Sequence, residues 1–173
     1  MGRDKHTSGP RESYELSVFH TFQREAHGLL ATLPANEWEW LAIARHHGLP
    51  TRLLDWTHNV LTALYFAMVD NVEVDGQIFA IAASAEASEY TVTPRIRAQE
   101  GLFIACPKVD VPLDQTLPKE WSIERLRVPA KRKEHLRYEL FRIGVHESSL
   151  FPGLDGLAAR VRWQHRISPP FAR

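Results

Sequence analysis

The segment HHGLPTRLLDWTHN, residues 46–59, constrains this chain more than any other stretch. Gly48 suits the left-handed position just past a helix, and Pro50 cannot re-enter one, so a helix must stop here and extended chain must follow. Upstream, Asn36 and Glu39 stand three residues apart in a variant of the capping box, which predicts a helix through WEWLAIARHH. Downstream, TRLLDW reads as extended, and Thr57 or Asn59 can cap a third helix, VLTALYFAMV. That helix is apolar nearly all round, which predicts burial and places Tyr65 and Phe66 in the core.

The remaining pattern extends this unit in both directions. Leu16, Phe19, Phe22, Ala26 and Leu29 or Leu30 recur at helical spacing from Ser13, so a first helix precedes Pro34. GQIFAIAA and GLFIAC read as buried strands, WSIERLRV as a half-exposed strand, and 107–120 as irregular chain. Pro129 is placed to open a helix whose stripe is Leu136, Leu140 and Ile143, ending at Gly144. A last helix, GLDGLAARVRW, carries Leu154, Leu157, Ala158 and Val161 on one side. The expected fold is α+β: one domain with a small mixed or antiparallel sheet packed against about five helices. Its expected bounds are residues 13–166, between a flexible segment at 1–12 and a tail at 167–173.

Charge and composition narrow the functions. The 173 residues hold 21 basic and 21 acidic side chains, so no overall field draws the chain onto nucleic acid or an anionic membrane. No apolar run reaches the length that spans a bilayer. The lone cysteine, Cys106, excludes an internal disulfide and a multi-thiolate zinc site and fits a reducing, cytoplasmic address; beside Pro107 it reads as a buried small hydrophobe. No His pair at metal-ligand spacing accompanies it, so no metal is expected. The basic run RLRVPAKRKEHLRYELFR is interrupted by Glu134 and Glu139 and reads as a solvated helix face, which disfavours a nucleic-acid partner.

The polar residues around the turn are the candidate site. Arg52 offers a planar fork suited to phosphate or carboxylate, while Asp55, Thr57 and Asn59 lie where extended chain meets a helix start, a junction able to hold an anionic ligand. Arg52 and Asp55 point to opposite faces of a regular strand and need not pair with each other; the competing reading makes them structural, an ion pair and a cap. His46 and His47 lie about 100° apart around a helix, so at most one readily joins a given site; His47 is the preferred general base or ligand contact, its imidazole suiting acid–base work near neutral pH. Arg97 and Gln99, in PRIRAQEG between two strands, line a cleft or belong to a solvated loop. Trp38, Trp40 and Trp56 read as core or as pocket walls.

The stretch WEWLAIARHHGLPTRLLDWTHNVLTALYFAM resembles the central signature of FRG-domain proteins, a bacterial and phage family whose core runs close to wLalaqHHGlPTRLLDWt.n.l.ALyFA. RIRAQEGLFIACP resembles the family's second block, and SSLFPGLDGLAARVRW its closing Leu-Phe-Pro helix, so the likeness extends from about Phe22 to Trp163. The Phe- or Tyr-Arg-Gly tripeptide that names the family is absent, since no Arg-Gly pair occurs in the chain. In order of motifs the family is also similar to ADP-ribosyltransferases. That likeness implies Thr57 as a residue orienting a bound dinucleotide, Gln99 in the place that contacts the nicotinamide ribose, and NAD as a candidate cofactor. Glutamine there would bind without serving as a carboxylate base. Two readings stand. One is a nucleotide-binding effector, of toxin or phage-defence type, with catalytic candidates His47, Arg52, Asp55 and Gln99 and ligand-binding candidates Thr57, Asn59 and Arg97. The other is a non-catalytic module for a protein or nucleic-acid partner, in which the cluster is structural.

Overall fold

A computed structural model describes residues 10–82, 99–105 and 111–166. Within them the helices are α1 (Pro10–Ala26), α2 (Glu37–His46), α3 (Val60–Val69), α4 (Ala130–Arg142), α5 (Glu147–Leu150) and α6 (Leu154–Arg166). The strands are β1 (Leu53–Thr57), β2 (Gly76–Ala82), β3 (Gly101–Ala105) and β4 (Ser122–Val128). The strands form two antiparallel ribbons, β1 with β3 and β2 with β4, so the architecture is α+β. Six helices among the described residues agree with the expectation of about five, the short α5 overlapping the turn SSLFP.

Local chemistry accounts for the boundaries. The Asn36 side chain accepts the Glu39 amide, one of the donors orphaned at the start of α2, and the Glu39 carboxylate reaches back to the Ala35 amide just before the cap. Gly48, at φ +85°, turns the chain out of α2, and Leu49 donates to the Ala44 carbonyl as it leaves. Pro129 caps α4 without a side-chain bond, and the Asp75 carboxylate accepts the Ala130 amide instead.

α3 is the hub. Its Tyr65 and Met68 form the main core with Val128, Leu140 and Leu150, drawing β4, α4 and α5 together. Gly76 opens β2 where a Cβ would lie 2.1 Å from the Ala67 carbonyl oxygen, so the ribbon meets α3 at backbone contact. Buried Lys133 of α4 donates to the Asp70 and Asn71 carbonyls just past α3. A second cluster joins α1 to α2 through Phe19, Ala26, Trp40 and Ala44, with Phe22 edge-on to Trp40. A third, Ala42, Leu53 and Phe103, seats the β1–β3 ribbon on α2.

Three burial expectations are corrected. β2 is not a buried strand: Gln77, Phe79, Ala80 and Ala82 are exposed, because a ribbon of two strands has α3 along one side only. Phe66 is exposed rather than core, since α3 presents it to a cleft. On α6 the stripe Leu154, Leu157 and Val161 faces outward, and the helix packs through Gly156 and Trp163. Only glycine permits that approach, because a Cβ at 156 would stand 2.0 Å from the Phe151 carbonyl oxygen.

Candidate functional site

The polar residues of the central motif divide into two sets. Arg52 turns toward α1: its backbone amide donates to Glu15 Oε1 at 2.9 Å, and its guanidinium donates to Glu15 from Nε and, at 2.8 Å, from an Nη. The side chains are 28% and 11% exposed, so this is a largely shielded pair that clamps the start of β1 onto the first helix. Asp55 turns the other way and accepts from Arg45 Nε at 3.0 Å and from an Arg45 Nη at 2.7 Å. The opposite facing expected of Arg52 and Asp55 is therefore observed, and each has its own partner.

Where β1 runs into α3, a clasp joins two distant parts of the chain. The Thr57 hydroxyl donates to the Gln99 carbonyl at 2.6 Å and accepts the Asn59 amide at 3.0 Å. Asn59 is the cap of α3, its Oδ1 accepting the Leu61 and Thr62 amides, while its Nδ2 donates to the Glu100 carboxylate. The Glu100 carbonyl accepts the His58 amide, and the residue holds φ +50°, a left-handed turn that leads straight into β3. The Gln99 side chain crosses to α5, where Nε2 donates to the Leu150 carbonyl at 3.0 Å.

Between α3, the β1–β3 ribbon and β2 lies a cleft of about 570 Å³. Trp56, Phe66, Phe79, Phe103 and Phe151 supply aromatic walls, and Arg45, His46, Asp55, Thr57, Gln77 and Gln99 supply its polar groups. Its size lies within the range of small-ligand sites, which are mostly apolar with few convergent polar groups. The Asp55 carboxylate is 62% exposed, so the Arg45–Asp55 pair stands at solvent and presents a fixed acceptor and a cation together. Trp56 Nε1 is buried and has no hydrogen-bond partner among the described residues.

Of the expected site residues, Asp55, Thr57 and Gln99 line this cleft and His47, Arg52 and Asn59 do not. Arg52 is committed to Glu15, Asn59 to capping α3, and His47 is the residue that terminates α2, its amide donating to the Ile43 carbonyl. His46, one position earlier, takes the place at the cleft, its ring edge-on to that of His47. Arg97 and Cys106 lie outside the described residues. Sequence reasoning missed Arg45 and the walls Phe79, Phe103 and Phe151. Arg45 carried a signal, a long cation in the last turn of a helix whose neighbour strand supplies an aspartate; Phe79 and Phe103 read as parts of buried strands, and Phe151 as part of a turn.

A second hollow, of about 700 Å³, lies on the far side of Phe66 and Phe151, which also line the first. These two rings meet edge to face with centroids 5.9 Å apart. In the second hollow Arg137 pairs with Glu147 and lies over the Trp163 ring, 4.7 Å from its centroid. Burial, and then the Glu147 charge, push the Tyr65 phenol well above its ordinary range, against a smaller opposing pull from Arg137. Among the described residues no three His, Cys, Asp or Glu side chains gather as metal ligands, and no helix is long and apolar enough to cross a membrane.

Fold and cleft together define a helix-rich α+β domain organised around an HHGLPTRLLDW turn. Residues 2–76 match the family model for the FRG domain, so this stretch of the chain is similar to FRG domains. The matched span holds Arg45, His46, Asp55 and Thr57, and the blocks at RIRAQEGLFIACP and SSLFPGLDGLAARVRW follow it. No curated protein and no solved structure matches the chain.

Proposed function

We propose that the cleft between α3 and the two ribbons binds a nucleotide-like ligand, with a planar base against the aromatic walls and sugar or phosphate oxygens at the Arg45–Asp55 pair. The observation that carries this reading is the conjunction itself: five aromatic side chains and an oriented carboxylate–guanidinium pair in one hollow of about 570 Å³. Aromatic faces reward a flat heterocycle, and a carboxylate held by arginine accepts ribose hydroxyls while the guanidinium still offers donors to an anion. Thr57 and Gln99 then shape the cleft, since the hydroxyl and the amide are both engaged with backbone. NAD and ADP-ribose are candidate ligands. The proposal is binding; ADP-ribosyl transfer is not part of it, because residue 99 offers an amide already donating to Leu150.

Titration calorimetry of the full chain with NAD, ADP-ribose and ATP tests the reading. Saturable heat is expected with at least one, weakened about tenfold in Asp55→Ala and in Phe79→Ala, equivalent to losing about 1.4 kcal/mol. No heat from any of the three overturns it. The alternative, a module whose polar cluster is purely structural, is favoured by one observation, the Arg52–Glu15 clamp. It predicts that no cleft substitution alters any ligand affinity.

A further inference from the structure

Resting on the nucleotide reading of the cleft, we infer that Asp55 makes the site selective for ribose: the Arg45–Asp55 pair takes adjacent sugar hydroxyls rather than a phosphate, and the cleft prefers ribonucleotides to 2′-deoxyribonucleotides. The bonds within the pair point to this. Arg45 donates from Nε at 3.0 Å and from Nη2 at 2.7 Å, and both bonds end on the same oxygen, Asp55 Oδ2. A carboxylate has about four acceptor sites, two on each oxygen, so Oδ2 is filled and Oδ1 keeps both of its own. Among the described residues nothing donates to Oδ1, and nothing accepts from Arg45 Nη1. The Asp55 side chain is 62% exposed and the Arg45 side chain 35%, and both line the cleft, so the open acceptor and the open donor are within reach of a ligand there.

Charge separates sugar from phosphate. The pair is neutral as a whole, and what it leaves open is an acceptor oxygen beside an N–H donor. A hydroxyl both donates and accepts, so adjacent hydroxyls can donate to Oδ1 while one of them accepts from Nη1. An ionised phosphate has no proton to give Oδ1 and brings its own negative charge up to that oxygen, and the guanidinium that would attract it is already matched by Asp55. Asp55 is also the one carboxylate among the lining residues; Gln77 and Gln99 offer neutral oxygens, which accept more weakly, and the Thr57 hydroxyl is engaged with the Gln99 carbonyl and the Asn59 amide. Position agrees with chemistry. Phe103 is paired directly across the ribbon from Asp55, and such partners stand about 5 Å apart at Cβ on one face, so the carboxylate lies beside an aromatic wall, as a sugar lies beside its base.

Titration calorimetry of the full chain with NAD, ADP-ribose and ATP, each beside analogues lacking the 2′-hydroxyl at one ribose, reads the preference. For whichever parent binds, at least one analogue is expected to bind about tenfold more weakly, as for the loss of a charge-assisted hydrogen bond. In Asp55→Asn the gap is expected to close to within about twofold, because the amide oxygen is taken by Arg45 and the group left facing the sugar is a donor. Phe79→Ala is expected to weaken parent and analogue alike and leave their ratio unchanged, which separates stacking from recognition of the sugar. Circular dichroism is expected to show the native helix content in both variants. Analogues that all bind as tightly as their parents overturn the inference and leave nucleotide binding standing. A preference that survives in Asp55→Asn overturns it too, since another group then reads the sugar. No heat from any parent overturns the ribose assignment and the nucleotide reading together.

Discussion

Arg52 and Asp55 sit three residues apart and do different work, which stability measurements can separate. The Arg52 guanidinium and amide both engage Glu15 in a largely shielded contact, so Arg52→Ala leaves the Glu15 carboxylate of α1 with the residue 52 amide but without its countercharge. The expected cost is about 3 kcal/mol, the low end for breaking a buried pair. In a domain of this size that lowers the midpoint of thermal unfolding by roughly 6–12 °C. Asp55→Ala removes a pair at solvent, costs less than about 1 kcal/mol, and should show itself in ligand affinity rather than in melting temperature. Equal losses of stability in the two variants would contradict this division of labour. Sequence made the opposite facing of these residues legible, because strand geometry alternates side chains. The partners Glu15 and Arg45 were not legible, since each contact depends on where a helix packs.

Helix ends were the most readable elements and burial the least. Asn36, Gly48, Asn59 and Pro129 each act through the backbone within a few residues, and the structure ends its helices where those residues require. Burial depends on what covers an element. The apolar stripe of α6 had the period of a core face, yet the helix is anchored through Gly156 instead. Gly156→Ala tests that anchoring. The new Cβ would fall 2.0 Å from the Phe151 carbonyl oxygen and 2.8 Å from that of Glu147, so α6 must move away from α5. A loss of about 1–3 kcal/mol is expected, as for other overpacked contacts, even though alanine is the better helix former. Chemical denaturation giving an unchanged or higher midpoint would show that the close approach is not needed. Likewise Phe66 and Phe79 have core-like composition, but a hub helix and a two-stranded ribbon leave a gap between them, and the rings became its walls.

At the scale of the whole molecule, the core around Tyr65 couples folding to alkaline pH. The folded phenol is held protonated by burial and by Glu147, so its pKa lies above the unfolded value near 10. Above about pH 10 the unfolded chain gives up this proton and the folded chain keeps it. The unfolded state then binds fewer protons, so stability falls as pH rises, by about 1.4 kcal/mol per pH unit for a fully unmatched proton. Denaturation of the native chain and of Tyr65→Phe between pH 9 and pH 11 should show a shallower decline in the variant; parallel declines would assign the effect to other groups. The same region holds the pair of rings that close both hollows. Phe66 rides on the hub helix and Phe151 on the link between the last two, and each ring has one hollow in front and another behind. They are a party wall: because both hollows rest on the same two rings, a substitution that shrinks either ring alters the cleft and the hollow beside Arg137 and Glu147 together.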